Sequence, residues 1–406
     1  MLIYSAPWLY IICLFTSSTY GNSRISSFDQ FIPNYLDLSI GLRGGFWRND
    51  QQLERSVNNL ENYPSICVVI PARNEAELLP VTLRSILTQT YSGSIRIILV
   101  DDHSTDGTGK VAQQVAKKLG KESQLDVITA EPLPAGWTGK LWAMEQGVRV
   151  AEKSLPDYIL LTDADIQHDR EHLIQLVTKA QTENLDMASV MVKLRCESVW
   201  EKLLIPAFVF FFQKLYPFAW VNDPKNSIAA AAGGCILIRR EALIGIGGIA
   251  AIHHALIDDC ALAQAVKSRS NPIWLGLSQT TLSLRPYPSL SSIWDMVART
   301  AYTQLDYSPL MLLGTLIGMS IIYLIPPISA ISGFIMGNYP IGIAGLVAWI
   351  LMSIAYLPTL RFYACPFWMA FLLPSIAFLY TLMTLDSVFR HWRGKGGAWK
   401  GRTYRS

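Results

Sequence analysis

Three apolar blocks near the C-terminal end constrain this chain more than any other feature. Residues 310–336, 341–357 and 366–385 contain no Asp, Glu, Lys or Arg. Each has the length, or nearly so, of a helix that crosses a ~30 Å hydrocarbon layer. Asn338, Tyr339 and Pro340 divide the first pair and Arg361 the second. Part of the fold is therefore expected in lipid, where only helices and closed barrels satisfy their own backbone. The chain is 51% hydrophobic and 16% charged, against about 25% charged for soluble domains, and the shortage of charge falls after Ser308. A net charge of +3, with no basic run except at the C-terminal end, argues against nucleic acid as a partner.

Six cysteines, Cys13, Cys67, Cys196, Cys235, Cys260 and Cys365, show no CxxC pair and no tight His and Cys cluster along the sequence. Reduced structural thiols are expected rather than a zinc site. Residues 2–15 are apolar but short for a span and read as an N-terminal anchor, followed by a polar linker to residue 62.

From Ser65 the pattern changes. Short apolar runs at 66–70, 95–100, 125–129 and 158–161 alternate with amphipathic stretches at 77–90, 107–119 and 140–153. The alternation predicts an α/β domain with a mostly parallel sheet over residues 63–290, ahead of a helical membrane region at 291–406. In open α/β sheets, ligands bind beyond the carboxyl ends of the strands. Three runs end in polar clusters: Pro71, Arg73, Asn74 and Glu75; then Asp101 and Asp102; then Asp163 and Asp165. The three are expected to meet in one crevice. A Phe-rich stretch at 203–219, interrupted by Pro206 and Pro217, reads as a buried or interfacial helix.

Each acidic cluster has a bland reading and a chemical one. After Asp101 and Asp102, the run Ser104, Thr105, Asp106, Gly107 and Thr108 suits a turn into a helix, and capping explains Ser104 and Asp106. Two adjacent acids at a strand end are costly unless something binds them. Asp163 and Asp165 are spaced so that strand alternation sends both to one side, where they suit a hard cation, Mg²⁺ or Mn²⁺. Asp258 and Asp259 open a helix-like pattern, where the helix dipole favours acids; a carboxylate there also suits a base that takes the proton of an attacking hydroxyl. Two near-motifs fail. The run from Ser104 to Val111 lacks the first Gly and the final Ser or Thr of a phosphate loop, and no GxGxxG follows the first strand, so a nicotinamide cofactor is not expected.

Taken in order, these motifs resemble the inverting glycosyltransferases of family 2, which have a GT-A fold. Pro71 to Glu75 looks like P-x-x-N-E, Asp101 to Thr108 like D-D-x-S-x-D-x-T, Asp163 to Asp165 like DxD, and Asp258 with Asp259 like the E-D pair. More narrowly, the runs starting at Trp137, Arg195, Phe218 and Ala232 look like the hopene-associated glycosyltransferases of bacterial hopanoid gene clusters. The resemblance implies that Pro71, Glu75, Asp101 and Asp102 lie against the donor nucleoside and Lys140 against its phosphates. It implies Asp163 and Asp165 at the metal, Asp163 also on the donor side, and Asp259 as base beside Asp258. Arg299, expected on the donor side, matches the Arg of the Q-x-x-R-W motif of processive synthases. A UDP-sugar donor, a lipid-like acceptor with a hopanoid as a candidate, and a bacterial inner membrane with the domain facing the cytoplasm are implied as well.

Three departures qualify the match. The E-D pair has the shorter Asp258, Glu145 stands where an Asn is usual, and the run ending at Arg299 continues with Thr300 instead of Trp. Loss of that Trp argues against the rival reading, a processive polysaccharide synthase. A second rival, an inactive scaffold for hopanoid enzymes, would be expected to lose its carboxylates, and all three clusters are present.

Topology sets two rules against each other. Nucleotide sugars are cytoplasmic, and the tail with Arg390, Arg393, Lys395, Lys400, Arg402 and Arg405 is cytoplasmic by the positive-inside rule. Both require an even number of crossings, yet there are three blocks. Pro326, Pro327, Gly314, Gly318, Gly333 and Gly337 weaken the first block as one helix. Unbroken, it would run about 40 Å. That block is therefore expected to enter and return, or to lie in the interface, with the Phe-rich residues 208–212 as its cover.

Overall fold

The structure, a computed structural model, describes Leu53, residues 62–394 and two short paired strands, Ala398–Trp399 and Arg402–Thr403. The expected anchor at 2–15, and nearly all of the expected linker, lie outside the described residues. The chain forms two compact units. One contains Tyr216–Tyr287 and the described part of Asn49–Arg195; the other contains Cys196–Leu215 and Pro288–Gly394.

The first unit is an α/β domain. Its strands are β1 (Ile66–Ala72), β2 (Ile95–Asp101), β3 (Leu125–Thr129), β4 (Tyr158–Thr162), β5 (Ile166–Gln167), β6 (Met187–Lys193), β7 (Cys235–Arg239) and β8 (Ile273–Ser283). They form one eight-stranded sheet in the order β3-β2-β1-β4-β7-β6-β8-β5. β1 pairs in parallel with β2 and β4, and β2 with β3, whereas β7 runs antiparallel to both β4 and β6. The reason is visible in the residues. Every residue of β1 is buried, the near-continuous apolar run of a strand covered on both faces. Helices α1 (Leu79–Leu87), α2 (Thr108–Leu119), α3 (Gly139–Ala151) and α4 (His172–Thr182) alternate with these strands. α3 lies directly on β1, since a Cβ at Gly147 would stand 2.4 Å from Val69 Cγ1. Because β1, β2 and β4 are parallel, Ala72, Asp101 and Thr162 end on one edge of the sheet. That edge carries all three polar clusters, as the alternation predicts.

The core of this unit holds one polar knot that the linear sequence conceals. His172 Nε2 lies 3.1 Å from Cys235 Sγ and its Nδ1 lies 2.9 Å from Thr281 Oγ1. His168 Nε2 lies 3.0 Å from Thr162 Oγ1, whose hydroxyl donates to Gly234 O. Burial keeps both imidazoles neutral, pushing His172 down to about 4 and His168 well below its ordinary value. The scattered cysteines thus do include one in a tight His and Cys group, because β4, β7 and α4 bring together residues distant in sequence.

The second unit is helical: α5 (Val199–Leu215), and, after α6 (Asp258–Lys267) of the α/β unit, α7 (Leu290–Ala298), α8 (Pro309–Met319), α9 (Ile325–Ile335), α10 (Tyr339–Phe362) and α11 (Leu373–Trp392). Three runs, Pro309–Ile335, Tyr339–Phe362 and Phe367–Trp392, are long and apolar enough to cross a membrane. The first is a correction to expectation. It does not fold back; α8 passes into α9 through a π-helical turn, Ser320–Leu324. That turn places Pro326 and Pro327 in the first turn of α9, where a missing N–H costs least. Nor does Gly333 break the helix. A Cβ there would stand 2.3 Å from Gly342 N, and one at Gly345 would stand 2.5 Å from Ala330 N. These glycines let the backbones of α9 and α10 touch, as small residues do between membrane helices. The Phe-rich stretch is α5, with Pro206 inside it. Its Phe211 meets Tyr323 of the π turn edge-on, with ring centroids 5.6 Å apart.

Candidate active site

Two loops at the sheet edge are stitched to each other before any chemistry begins. Asn74, with φ 53°, donates its N–H to Ser104 Oγ and accepts from Thr105 N through Oδ1. Glu75 N–H donates to Thr108 Oγ1, and Ala76 N–H to Asp106 Oδ2. Ser104, Asp106 and Thr108 are therefore structural. The two adjacent acids also have local partners: Asp101 Oδ1 accepts from Ser104 N at 2.9 Å, and buried Asp102 lies 3.5 Å from Arg73 Nη1. Their charge is answered within the loops.

The carboxylates beyond these loops gather around two cations. Lys140, in the first turn of α3, stands where the helix dipole disfavours a cation. Its Nζ lies 2.9 Å from Asp163 Oδ1 and 3.1 Å from Asp258 Oδ2. Burial opposes the ammonium charge, but Asp163 and Asp258 outweigh it and push its pKa up. Asp258 and Asp259 open α6, the favoured end for acids. Asp259 Oδ2 accepts from Gly233 N at 2.8 Å and Oδ1 from its neighbour Cys260 N at 2.8 Å. Burial, and then the charge of Asp258, raise Asp259 to about 6 against the pull of Lys140 and the two amides. Burial raises Asp163 as well. Pro71, Lys140, Asp163, Gly233, Asp258 and Asp259 line one pocket, floored by Met144, Leu161, Ile236 and Leu262.

The second cation is Arg285, two residues beyond β8. Its Nε donates to Asp165 Oδ2 and its Nη2 to Glu75 Oε1, both at 2.6 Å. Both acids are buried, at 6% and 7% exposure, so the guanidinium fork is what holds their charge. Sequence reading overlooks Arg285, because a single Arg after a strand carries no signal until the strand's place in the sheet is known. Gly233 falls in the run starting at Ala232, but its place in the site was not legible: a Cβ there would press to 3.3 Å from Lys140 Nζ and 3.4 Å from Asp259 Oδ2. Asp163 and Asp165 separate, one to Lys140 and the other to Arg285. Glu145, at the atypical position, pairs with Arg149 at 2.8 Å. Arg299 is at the C-terminal end of α7, in the helical unit.

Residues 67–247 match the family model described as glycosyl transferase family 2. The α/β unit thus matches the family 2 model over residues 67–247 and has a GT-A-like fold, and three apolar helices follow it. The same fold is found in a mannosyltransferase from Pyrobaculum calidifontis solved in complex with GDP-Man and Mn²⁺, with a TM-score of 0.50 at 16% identity, covering 87% of this chain and 93% of that one. Among curated proteins, a 4,4′-diaponeurosporenoate glycosyltransferase of Staphylococcus haemolyticus is 30% identical over 120 residues, covering 30% of this chain and 29% of its own. Its namesake in Staphylococcus aureus is 25% identical over 240 residues, 59% of this chain and 60% of its own. A probable glycosyltransferase of Bacillus subtilis is 27% identical over 232 residues, 55% of this chain and 50% of its own. The chain thus spans no more than 60% of the length of these relatives.

Proposed function

We propose that this chain is an inverting glycosyltransferase that moves a sugar from a nucleotide donor, UDP-linked by the motif resemblance, onto a lipid-like acceptor at a bacterial inner membrane. The observation that carries the reading is the pocket in which Lys140 bridges Asp163 and Asp258 beside a raised Asp259, at the carboxyl edge of a family 2 domain. Two relatives are named for 4,4′-diaponeurosporenoate, which supports an apolar acceptor. A hopanoid is the acceptor suggested by the subfamily runs around Trp137 and Phe218.

A divalent metal suits these side chains. Glu75, Asp163, Asp165, Asp258 and Asp259 gather about Lys140 and Arg285, five carboxylates around two cations among the described residues. Burial first, and then the neighbouring carboxylates, raise Asp163 and Asp259. All the donors are hard oxygens, as Mg²⁺ or Mn²⁺ prefers. Asp163 and Asp165 would hold the ion, which supplies neutralising charge for a departing diphosphate. Lys140 lies against the same phosphates, Glu75, Asp101 and Asp102 face the nucleoside, and Pro71 packs beside it. Asp259 takes the proton of the acceptor hydroxyl as that oxygen attacks the anomeric carbon in line, so configuration inverts and no covalent enzyme intermediate forms. The domain faces the cytoplasm, where its donor is found.

The test is release of nucleotide by membranes containing the chain, across a panel of UDP- and GDP-sugars, with and without a hopanoid extract. Release that needs one donor and rises with the extract is the expected result. No acceptor-dependent release from any nucleotide sugar would overturn the reading.

A further inference from the structure

The last two long helices of the helical unit run in the same direction, which bears on how often its described residues cross. α9 and α10 lie antiparallel: Gly342 packs on Gly333, and Gly345 on Pro326 and Ala330. α10 therefore ends at Phe362 on the side where α8 began at Pro309. Cys365 stays at that end. Its N–H donates to Leu360 O at 2.9 Å, and its Sγ lies 3.9 Å from the Sγ of Cys196, at the start of the stretch Cys196–Leu215 of the helical unit.

From there the 3₁₀ turn Phe367–Leu372 descends along α10. Trp349 Nε1 donates to Phe371 O at 3.2 Å. At 1.5 Å per residue, Trp349 lies about 20 Å below the end of α10 and about 15 Å above its start, near mid-depth. α11 then climbs beside α10. Tyr356 of α10 meets Phe210 of α5, and Tyr380 of α11 meets the adjoining Phe211. The far end of α11 comes back to the start of α8. Val388 packs with Tyr302 and Leu305, against which Met311 lies, and His391 stacks on Tyr307 at 4.5 Å. Polar contacts hold it there: Asp386 Oδ2 accepts from Trp294 Nε1 at 2.7 Å, and Arg390 Nη1 donates to Asp295 at 2.7 Å. The charge-free part of α11, residues 373–385, is therefore only about 20 Å long, two thirds of a ~30 Å hydrocarbon layer.

We infer that, among the described residues, only Pro309–Ile335 and α10 cross the membrane, and that the third apolar run is a half-membrane hairpin that dips from the entry side and returns to it. This rests on the reading that these helices lie in a membrane. The exposed Phe367, Trp368, Phe371, Phe378 and Trp392 form the surface that the lipids of that one leaflet cover, with Trp and Tyr suited to its headgroup level. Re-entrant backbone needs protein cover, which α10 and α5 supply. Between Tyr287 and Pro309 there is no apolar run of spanning length, so the α/β unit, the turn at Cys365 and the basic tail share a side. Two crossings remove the conflict between a cytoplasmic donor and a positive tail. The re-entrant block is the third, and the sequence pattern points to the first.

The test uses membrane vesicles of both orientations and an impermeant maleimide. Single cysteines at Asn338→Cys, Ala364→Cys and Arg393→Cys are compared with Glu122→Cys on the α/β unit, in a chain whose own cysteines are replaced by serine. Positions 122, 364 and 393 are expected to label from one face and 338 from the other. The unaltered chain with a fluorescent protein fused after Ser406 checks the same point without the cysteine replacements, and fluorescence, which requires a cytoplasmic fusion, is expected. Labelling of 338 and 393 from the same face, or a dark fusion of a chain that resists alkaline extraction, overturns the two-crossing topology alone. Extraction of the chain by alkaline carbonate overturns the membrane reading beneath it.

Discussion

Asp259 is held in its native place with its charge opposed. Burial and Asp258 raise it to about 6, above the ~3.9 of an unfolded Asp. The native chain therefore binds this proton more tightly than the unfolded one. The stability linked to the group is complete below about pH 4 and is lost as pH rises through about 6. The catalytic form is the charged one, so turnover should rise over the same interval and level off near pH 7. A rate profile whose acid limb falls below pH 4.5 would exclude Asp259 as the base. Asp259→Asn should keep nucleotide binding and lose about 10²- to 10⁴-fold in turnover, the usual weight of a positioned base. Isothermal titration and single-turnover rates separate the two effects.

Arg285 gives the second prediction at this scale. Lys cannot present the fork that reaches Glu75 and Asp165 together. Arg285→Lys should lower stability by about 1–3 kcal/mol, less than a fully buried pair because the guanidinium is one-third exposed. It should weaken nucleotide binding too. An unchanged melting temperature and affinity would make the bridge incidental.

The elements themselves were largely legible. Buried β1 and β4 announce themselves by continuous apolar runs, β2 by an apolar run broken only by Arg96, and their polar ends meet as parallel strands require. What sequence could not supply was the meaning of particular glycines and prolines. Propensity counts Gly333 as a weakness in a helix, yet in the folded unit it is the contact surface with Gly342. Likewise Pro326 and Pro327 read as a break, and a π turn absorbs them. The places of Arg285 and Gly233 in the site were not legible for a different reason, because their partners lie on other strands and loops. The glycine argument can be tested within one helical pair. A Cβ at Gly345 meets backbone at 2.5 Å, whereas one at Gly314 meets nothing within 4 Å. Gly345→Val should therefore push α9 and α10 apart and cost about 1–3 kcal/mol or more, while Gly314→Ala should be neutral or slightly stabilising. Thermal melts in detergent compare them, and equal melting temperatures would remove the packing role.

At the scale of the whole molecule, the order of the sequence conceals how the chain is divided. α5 lies between β6 and β7 of one sheet, yet it belongs with the helices that follow Pro288. Phe210 rests on Tyr356, Phe211 on Tyr323 and Tyr380, and Tyr380 Oη donates to Leu204 O at 2.9 Å. Since β6 and β7 pair in one sheet, α5 cannot cross a membrane without tearing that sheet apart. A chain cut after Tyr287 would keep every carboxylate of the pocket, but it would strip α5 of its partners. Each buried aromatic or aliphatic side chain so exposed forfeits about 1.5–3 kcal/mol, and together they leave an apolar patch of the kind that aggregates or seeks lipid. The 1–287 fragment should accordingly stay with membranes or precipitate, and should recover solubility when Phe210 and Phe211 are both replaced by Ser. Size-exclusion chromatography after expression without detergent decides the matter: a monodisperse 1–287 fragment with both phenylalanines intact would show that α5 folds independently of the C-terminal helices.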